Sequence, residues 1–314
     1  MLSRKASRFE KNLGPSIEQL CERHGLSVSA ACKLFGHCRQ AYYQQSNHFE
    51  ILCKREAPIV EFVRSVRRED PGLGQRKLWL MSEAVFGEQM LGRDAFYALL
   101  AREGLKLKRP KPRHTTNSNH RFHKWKNLVK GYEPYGPNLL WVSDITYIQL
   151  ASGNCCYLHL VTDAYSRKVI GWCLSHTLEA KYTIEALRMA IKQAEGADLS
   201  RLIHHSDRGV QYCCNAYVEE LHNIGASISM TEDYKPTDNG IAERINGIIK
   251  TEKLYRQPLY GSFEEASIGI DEFIRFYNDR RPHMSIGYQT PSEVHRQSGP
   301  QQRQWQGYQQ TSSP

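Results

Sequence analysis

Apolar residues recur at helical spacing through the first hundred positions, then give way to β-branched and aromatic runs after residue 137. I-E-Q-L-C-E-R-H-G predicts a short amphipathic helix closed by Gly25, and Ser27 is placed to cap S-V-S-A-A-C-K-L-F-G, which Gly36 ends. R-Q-A-Y-Y-Q-Q follows as a short polar-aromatic helix, so residues 17–46 fit either a helix-turn-helix or a packing hairpin that touches no DNA. A second helical unit spans 57–104. A-P-I-V-E-F-V-R-S-V-R-R is amphipathic, D-P-G-L-G is a turn, and two further helices end at Gly87 and Gly104.

From 137 the pattern predicts strands. L-L-W-V-S-D-I-T-Y-I-Q-L and C-C-Y-L-H-L-V-T-D-A-Y flank the hairpin turn A-S-G-N, and K-V-I-G-W-C-L-S is a third strand. A helix over 179–195, the strand L-I-H-H-S-D, a helix over 215–224 and the strand A-S-I-S-M-T follow. After D-Y-K-P-T-D-N-G come helices over about 240–256 and 263–278. A hairpin meander followed by strand–helix alternation implies a mixed sheet flanked by helices. The expected domains are a helix-turn-helix-like unit at 1–50, a second helical DNA-binding unit at 51–108, a basic linker at 109–136, a catalytic core at 137–297 and a disordered polar tail at 298–314.

Composition adds one sharp feature. The chain of 314 residues is 40% hydrophobic and 24% charged, an ordinary globular balance, and no apolar run approaches a membrane span or a signal peptide. Nine cysteines without a C-x-x-C pair suit reduced thiols in a bacterial cytoplasm. The formal charge of +9 is concentrated: residues 101–130 hold ten Lys and Arg against Glu103 alone, which equals the excess of the whole chain. Pro110, Pro112, Phe122 and Trp125 interrupt that segment, which suits a strap along a phosphate backbone. Lys106, Lys108, Arg109, Lys111, Arg113, Lys124 and Lys126 are its candidate DNA contacts.

Three acids lack a simple structural use. Asp144 lies within an otherwise apolar strand, where a carboxylate is costly without a cationic partner. Asp207 closes a strand in H-H-S-D-R-G, and strand ends are where α/β sheets present ligand groups. Glu243 sits in the first turn of the helix opened by T-D-N-G-I-A-E-R-I. Singly, each has a bland explanation as a turn, capping or helix-start acid. Gathered together they would repel, unless divalent ions turned them into a phosphoryl-transfer clamp. The oxygen-only set points to Mg²⁺ or Mn²⁺, two ions being expected.

Sixty-two residues separate Asp144 from Asp207 and thirty-five separate Asp207 from Glu243. Those intervals resemble the D-D-(35)-E pattern of retroviral integrases and insertion-sequence transposases. W-V-S-D-I-T-Y-I, D-A-Y-S-R-K-V-I-G-W, H-S-D-R-G-V-Q-Y, D-N-G-I-A-E-R-I-N-G-I-I-K-T-E and Y-N-D-R-R-P-H-M-S-I-G-Y-Q-T-P resemble the second-frame product of the insertion sequence three family, over about 57–295. The resemblance implies a ribonuclease H-like core of five strands behind all-α helix-turn-helix units. It implies a catalytic and metal-holding triad of Asp144, Asp207 and Glu243 with Lys250 as auxiliary, and DNA end cleavage and strand transfer in transposition. Implied partners are terminal inverted repeats, target DNA, further copies of the chain on paired ends, and the product of an upstream overlapping frame. Two helical turns beyond Glu243, Lys250 would share its face. Asn239 and Arg244 are further candidate DNA contacts; Arg244 stands where many relatives carry Ser, which leaves metal binding untouched. His205 could approach the metals, and Asn278, Arg280, Arg281 and His283 are either DNA contacts or a helix-ending knot. His120 and His123 lack a following C-x-x-C, so the zinc unit of retroviral integrases is absent. A DNA-binding regulator with an inactive core and a ribonuclease H-like nuclease are the competing readings.

Overall fold

The computed structural model of the protein describes residues 13–107, 123–232 and 239–301. Its contacts divide the chain into two compact units, 1–64 and 65–314. In the first, α1 (Leu13–His24) and α2 (Val28–Leu34) precede α3 (Arg39–Glu69), whose residues 65–69 are counted with the second unit. Gly25 and Gly36 end the first two helices at φ of 62° and 72°, where a side chain would be strained. The Ser27 hydroxyl accepts from the Ala30 N–H at 3.3 Å, the cap that the sequence predicts. Ile17, Ala31, Cys32 and Tyr42 form the small core of this unit.

The break expected before A-P-I-V-E-F is not present. One helix of 31 residues runs through Pro58, so the boundary expected at residue 50 falls inside it. Proline removes a single i→i−4 bond, and propagation on both sides offsets that loss.

The second unit opens with α4 (Gln75–Phe86) and α5 (Arg93–Arg102), which bury Leu78, Phe96, Leu99 and Leu100. Its sheet comprises β1 (Leu140–Gln149), β2 (Cys155–Asp163), β3 (Val169–Ser175), β4 (Ile203–Ser206) and β5 (Ser227–Met230), in the order β3-β2-β1-β4-β5. The meander β1–β2–β3 is antiparallel, and β4 and β5 add in parallel on the other side of β1. This is the mixed five-stranded sheet with flanking helices that the sequence predicts.

Strand alternation sends residues to two cores. Trp141, Val161 and Ile170 pack with α6 (Ala180–Gln193) and α8 (Asn215–Asn223), the latter preceded by the short α7 (Val210–Cys213). Leu158 and Leu160 pack with α9 (Gly240–Ile248) and α10 (Phe263–Asp279). At Gly171 an added Cβ would lie 2.1 Å from the Ala186 carbonyl oxygen, so α6 sits directly on the β3 backbone. The short α11 (Pro291–Val294) carries a capping box from Thr290 and Glu293.

Three details depart from the sequence expectation. The helix expected over 240–256 stops at Ile248 and continues as a π-turn, Ile249–Lys253, and a 3₁₀ turn, Leu254–Arg256. The widened turn delivers Glu252 into a buried ion cluster, and the D-P-G-L-G turn abuts it: a Cβ on Gly72 would lie 2.1 Å from Glu252 Cα. Residues 123–129 of the expected basic linker lie along the edge strand β5. There the Leu128 N–H donates to Ser229 Oγ at 2.8 Å and Trp125 packs on the core. The first residues of the expected disordered tail are pinned: the Gly299 N–H donates to the Tyr135 carbonyl at 2.7 Å, and Gln301 Nε2 to the Tyr165 carbonyl at 2.7 Å. The rest of that tail lies outside the described residues. No helix among the described residues is long and apolar enough to cross a membrane.

Candidate active site

Register alone brings the two aspartates together. Ser143 of β1 pairs with Ser206 of β4 in a parallel ladder, so the next residues, Asp144 and Asp207, emerge side by side. Beneath them, His204 Nε2 stands 2.8 Å from Ser143 Oγ and 2.9 Å from the Tyr217 hydroxyl, tying β1, β4 and α8 together. Burial, then the neighbouring His205, lowers His204 to about 3, so this knot is uncharged.

Asp144 is half-buried. Its Oδ1 accepts from the Ile145 N–H at 2.9 Å and its Oδ2 from Asn246 Nδ2 at 2.7 Å. Burial first, and then the charge of Asp207, raise it to about 7; Glu243 adds a smaller push in the same direction. Asp207 Oδ1 accepts from the Gly209 N–H at 2.9 Å, which fixes the turn leaving β4. Glu243 occupies the first turn of α9 with most of its surface in water, and partial withdrawal from water raises its carboxyl. The aspartates therefore form a repelling pair, with Glu243 in electrostatic reach. Among the described residues no three His, Cys, Asp or Glu side chains stand close enough to hold a metal ion together.

The donor chemistry nonetheless fits a hard divalent cation. All three side chains offer carboxylate oxygen, and such a cation would relieve the repulsion of Asp207 that, after burial, raises Asp144.

The other sequence candidates are scattered around this centre. Asn239 is buried at the start of α9; it does not cap the helix with its side chain but donates Nδ2 to the Ser143 carbonyl at 3.1 Å. That bond anchors the helix bearing Glu243 to the strand bearing Asp144. Lys250 falls in the π-turn, where its Nζ lies 4.9 Å from the Tyr147 ring centroid, so the same-face spacing holds only as far as Ile248. Arg244 is exposed beside Glu243. Lys106, Lys124 and Lys126 are exposed, whereas Lys108, Arg109, Lys111 and Arg113 lie outside the described residues. His205 turns into the sheet, 2.9 Å from Ser229 Oγ, rather than toward the acids.

Of the two possibilities for Y-N-D-R-R-P-H, the structure favours the knot. Asn278 bonds both the N–H and the carbonyl of Val169 at 2.9 Å, Arg280 pairs with Glu69, and Arg281 makes two bonds to Glu252 at 2.7 and 2.8 Å. Lys77 joins Glu252 at 3.2 Å and Asp70 lies 3.8 Å from Arg281. Sequence reasoning overlooked Asn246, although its i+3 spacing from Glu243 puts it on the same helical face.

Residues 134–236 match one integrase core domain family and residues 224–291 a second model of the integrase core domain. The chain is 32% identical over 246 residues to a protein described as the transposase for insertion sequence element IS986/IS6110 of Mycobacterium tuberculosis, covering 76% of this chain and 87% of that one. It is 26% identical over 289 residues to the transposase for insertion sequence element IS629 of Shigella sonnei, covering 89% and 94%. Among solved structures, the HTLV-2 integrase catalytic core in complex with magnesium is 20% identical, with a TM-score of 0.39, over 52% of this chain and 99% of that one.

Proposed function

The chain belongs to the integrase-core transposases of bacterial insertion sequences, and from that membership we propose that Asp144, Asp207 and Glu243 carry metal-dependent cleavage of element ends and strand transfer into target DNA. The observation that carries the assignment of residues is the β1–β4 register, which sets Asp144 beside Asp207, close enough for the charge of Asp207 to raise Asp144. Asp144, Asp207 and Glu243 would hold Mg²⁺ or Mn²⁺, two ions in all. When bound, the ions supply stabilisation of charge on the attacking and leaving oxygens of an in-line displacement.

The remaining work falls to the chain's own groups. Asn246 holds one Asp144 oxygen, which orients the carboxylate and favours its ionised form. Asn239 keeps α9 registered on β1, so that Glu243 is carried at a fixed distance from the strand acids. Lys250 offers a cation for a DNA phosphate near Tyr147. Lys106, Lys108, Arg109, Lys111, Arg113, Lys124, Lys126 and Arg244 serve as DNA contacts, whereas the buried Asn239 is structural, and the glycine-ended helices of the first unit read the element ends. The assembly is a multimer on paired ends in the bacterial cytoplasm, with the product of an upstream frame as a further partner.

A strand-cleavage and strand-transfer assay tests this, using duplexes that carry the terminal repeats flanking the coding frame. Mg²⁺-dependent products are expected from the wild type and none from Asp144→Asn, while DNA binding persists. Equal activity of the two proteins refutes the residue assignment. Cleavage of DNA lacking the repeats, or of hybrids, favours a nuclease instead.

A further inference from the structure

Behind α9, on the side away from Glu243 and Asn246, lies a cavity of about 600 Å³. That volume is within the roughly 300–1,000 Å³ of small-molecule sites. The first turn of α4, the α9 residues Ile241, Arg244, Ile245 and Ile248, and the segment around 281–288 enclose it. Among the described residues, five cationic side chains line it, namely Arg76, Lys77, Arg167, Arg244 and Arg281, and no acid does.

Several independent features point to an anion with an aromatic body. The N-terminus of α4, a helix of 12 residues, opens here at Gly74 without a side-chain cap, and its N–H groups and dipole favour negative charge. Arg281 is 1% exposed, yet its Nη1 is buried without a hydrogen-bond partner, as is Nε2 of His283 on the same wall. An unsatisfied buried guanidinium N–H is costly, and an oxyanion would satisfy it. Burial first, and then the charges of Arg281, Arg167, Lys77 and Arg244, lower His283 to about 2, so this wall carries a neutral imidazole beside the cations. Tyr97 and Tyr288 provide aromatic walls, and the Arg76 guanidinium lies 5.8 Å from the Tyr288 ring centroid. Arg167 and Tyr288 also hold left-handed backbones at φ of 66° and 63°, strain of the kind that gathers at ligand sites.

We propose that this cavity binds a nucleoside phosphate, its phosphate at the first turn of α4 and its base against Tyr97 and Tyr288. The nucleotide could come from a DNA strand, as one residue turned out of the stack, or from free mononucleotide. The first source rests on the reading of the preceding section and the second does not. A basic segment of the chain itself is a poor occupant, because the described residues of the lining include no acid to receive it.

Calorimetric titration with 2′-deoxyadenosine 5′-monophosphate, and fluorescence of an oligonucleotide carrying unpaired 2-aminopurine, test the assignment on the full chain. Saturable mononucleotide binding is expected, at least tenfold tighter than that of inorganic phosphate, together with quenching of the 2-aminopurine on stacking. Tyr288→Gly removes the ring and suits the positive φ, and Arg76→Gln alters an exposed residue, so both variants keep their melting midpoints. Each should weaken both probes at least tenfold. Binding of the oligonucleotide alone assigns the site to DNA, and binding of the mononucleotide alone assigns it to free nucleotide. The proposal is overturned if neither probe binds, if inorganic phosphate binds as tightly as the mononucleotide, or if both variants match the wild type. Loss of strand transfer with intact probe binding would refute the preceding section and leave this assignment standing.

Discussion

Glu252→Gln tests the buried cluster formed by the D-P-G-L-G turn, the π-turn and the end of α10. Asp70 is 0% and Arg281 1% exposed, and Lys77 is mostly buried. Two acids and two bases share this space but do not share it equally. Burial, then the charge of Glu252, push Asp70 well above the usual carboxylate range, whereas the paired Arg281 and Lys77 hold Glu252 down at about 2 against the cost of its own burial. The cations therefore favour the ionised form of Glu252, while burial and Glu252 favour the protonated form of Asp70. Replacing Glu252 by glutamine leaves Arg281 and Lys77 buried without a counter-charge, which costs about 3–5 kcal/mol. The depressed value of Glu252 leads to a similar figure, about 3 kcal/mol at 1.36 kcal/mol per pKa unit. Its folded value lies below the ordinary 4.5, so the stabilisation is complete above that pH and is lost as pH falls toward 2. Asp70→Asn puts a neutral amide where the surroundings disfavour a charged carboxylate and should cost less than about 1 kcal/mol. In urea unfolding at pH 7, Glu252→Gln should lower the midpoint of the second unit by about 1–2 M at a slope of a few kcal/mol per molar. Asp70→Asn should leave that midpoint nearly unchanged. Equal shifts for the two variants would refute this division of charge.

Four further outcomes are expected. Asn246→Ala removes a hydrogen bond to a charged carboxylate, a loss of about 1.5–3 kcal/mol, and should slow strand cleavage about tenfold to a hundredfold without changing DNA affinity. Asp144 is raised from 3.8 to about 7, so in chelator the fold should lose stability as pH rises through that window. The loss is about 2–4 kcal/mol, since residual solvent contact screens part of the penalty; thermal melts of Asp144→Asn should lack this slope. Gly171→Ala should destabilise by at least about 1–3 kcal/mol in the same melts, because its methyl meets the Ala186 carbonyl. DNA affinity should fall about 10³–10⁵-fold between 50 and 200 mM salt if the basic segment neutralises six to ten phosphates; a flat titration rules that out.

Much of the fold is legible in the sequence because its signals are local. Period-two runs around Trp141, Leu158 and Ile170 define strands, and glycines at 25 and 36 end helices wherever a left-handed residue is needed. Asp144 stands out as a charge inside an apolar strand, which is how the candidate site becomes visible. What the sequence conceals depends on distant partners. Nothing near Glu252 announces that Arg281 and Lys77 will meet it, so the π-turn that takes it there reads as ordinary helix. Pro58 misleads in the opposite sense, because a local rule for breaking helices is overridden by the length of helix on either side. The knot at Asn278 and Arg281 could not be told from a DNA-binding surface until the Val169 backbone and Glu252 were seen to receive those side chains.

β1 is hydrogen-bonded to β2 along nearly its whole length and to β4 over Leu140–Ser143, the four residues that lead up to Asp144. Peeling that first half away requires two ladders to open at once, so the amides of residues 140–143 should exchange with solvent only when the whole second unit unfolds. Asp144 thus directly follows backbone that local breathing does not reach, whereas Asp207 follows a four-residue strand whose outer neighbour lies near the sheet's rim. One half of the aspartate pair is a fixed datum, and any adjustment in their separation has to be made from the β4 side.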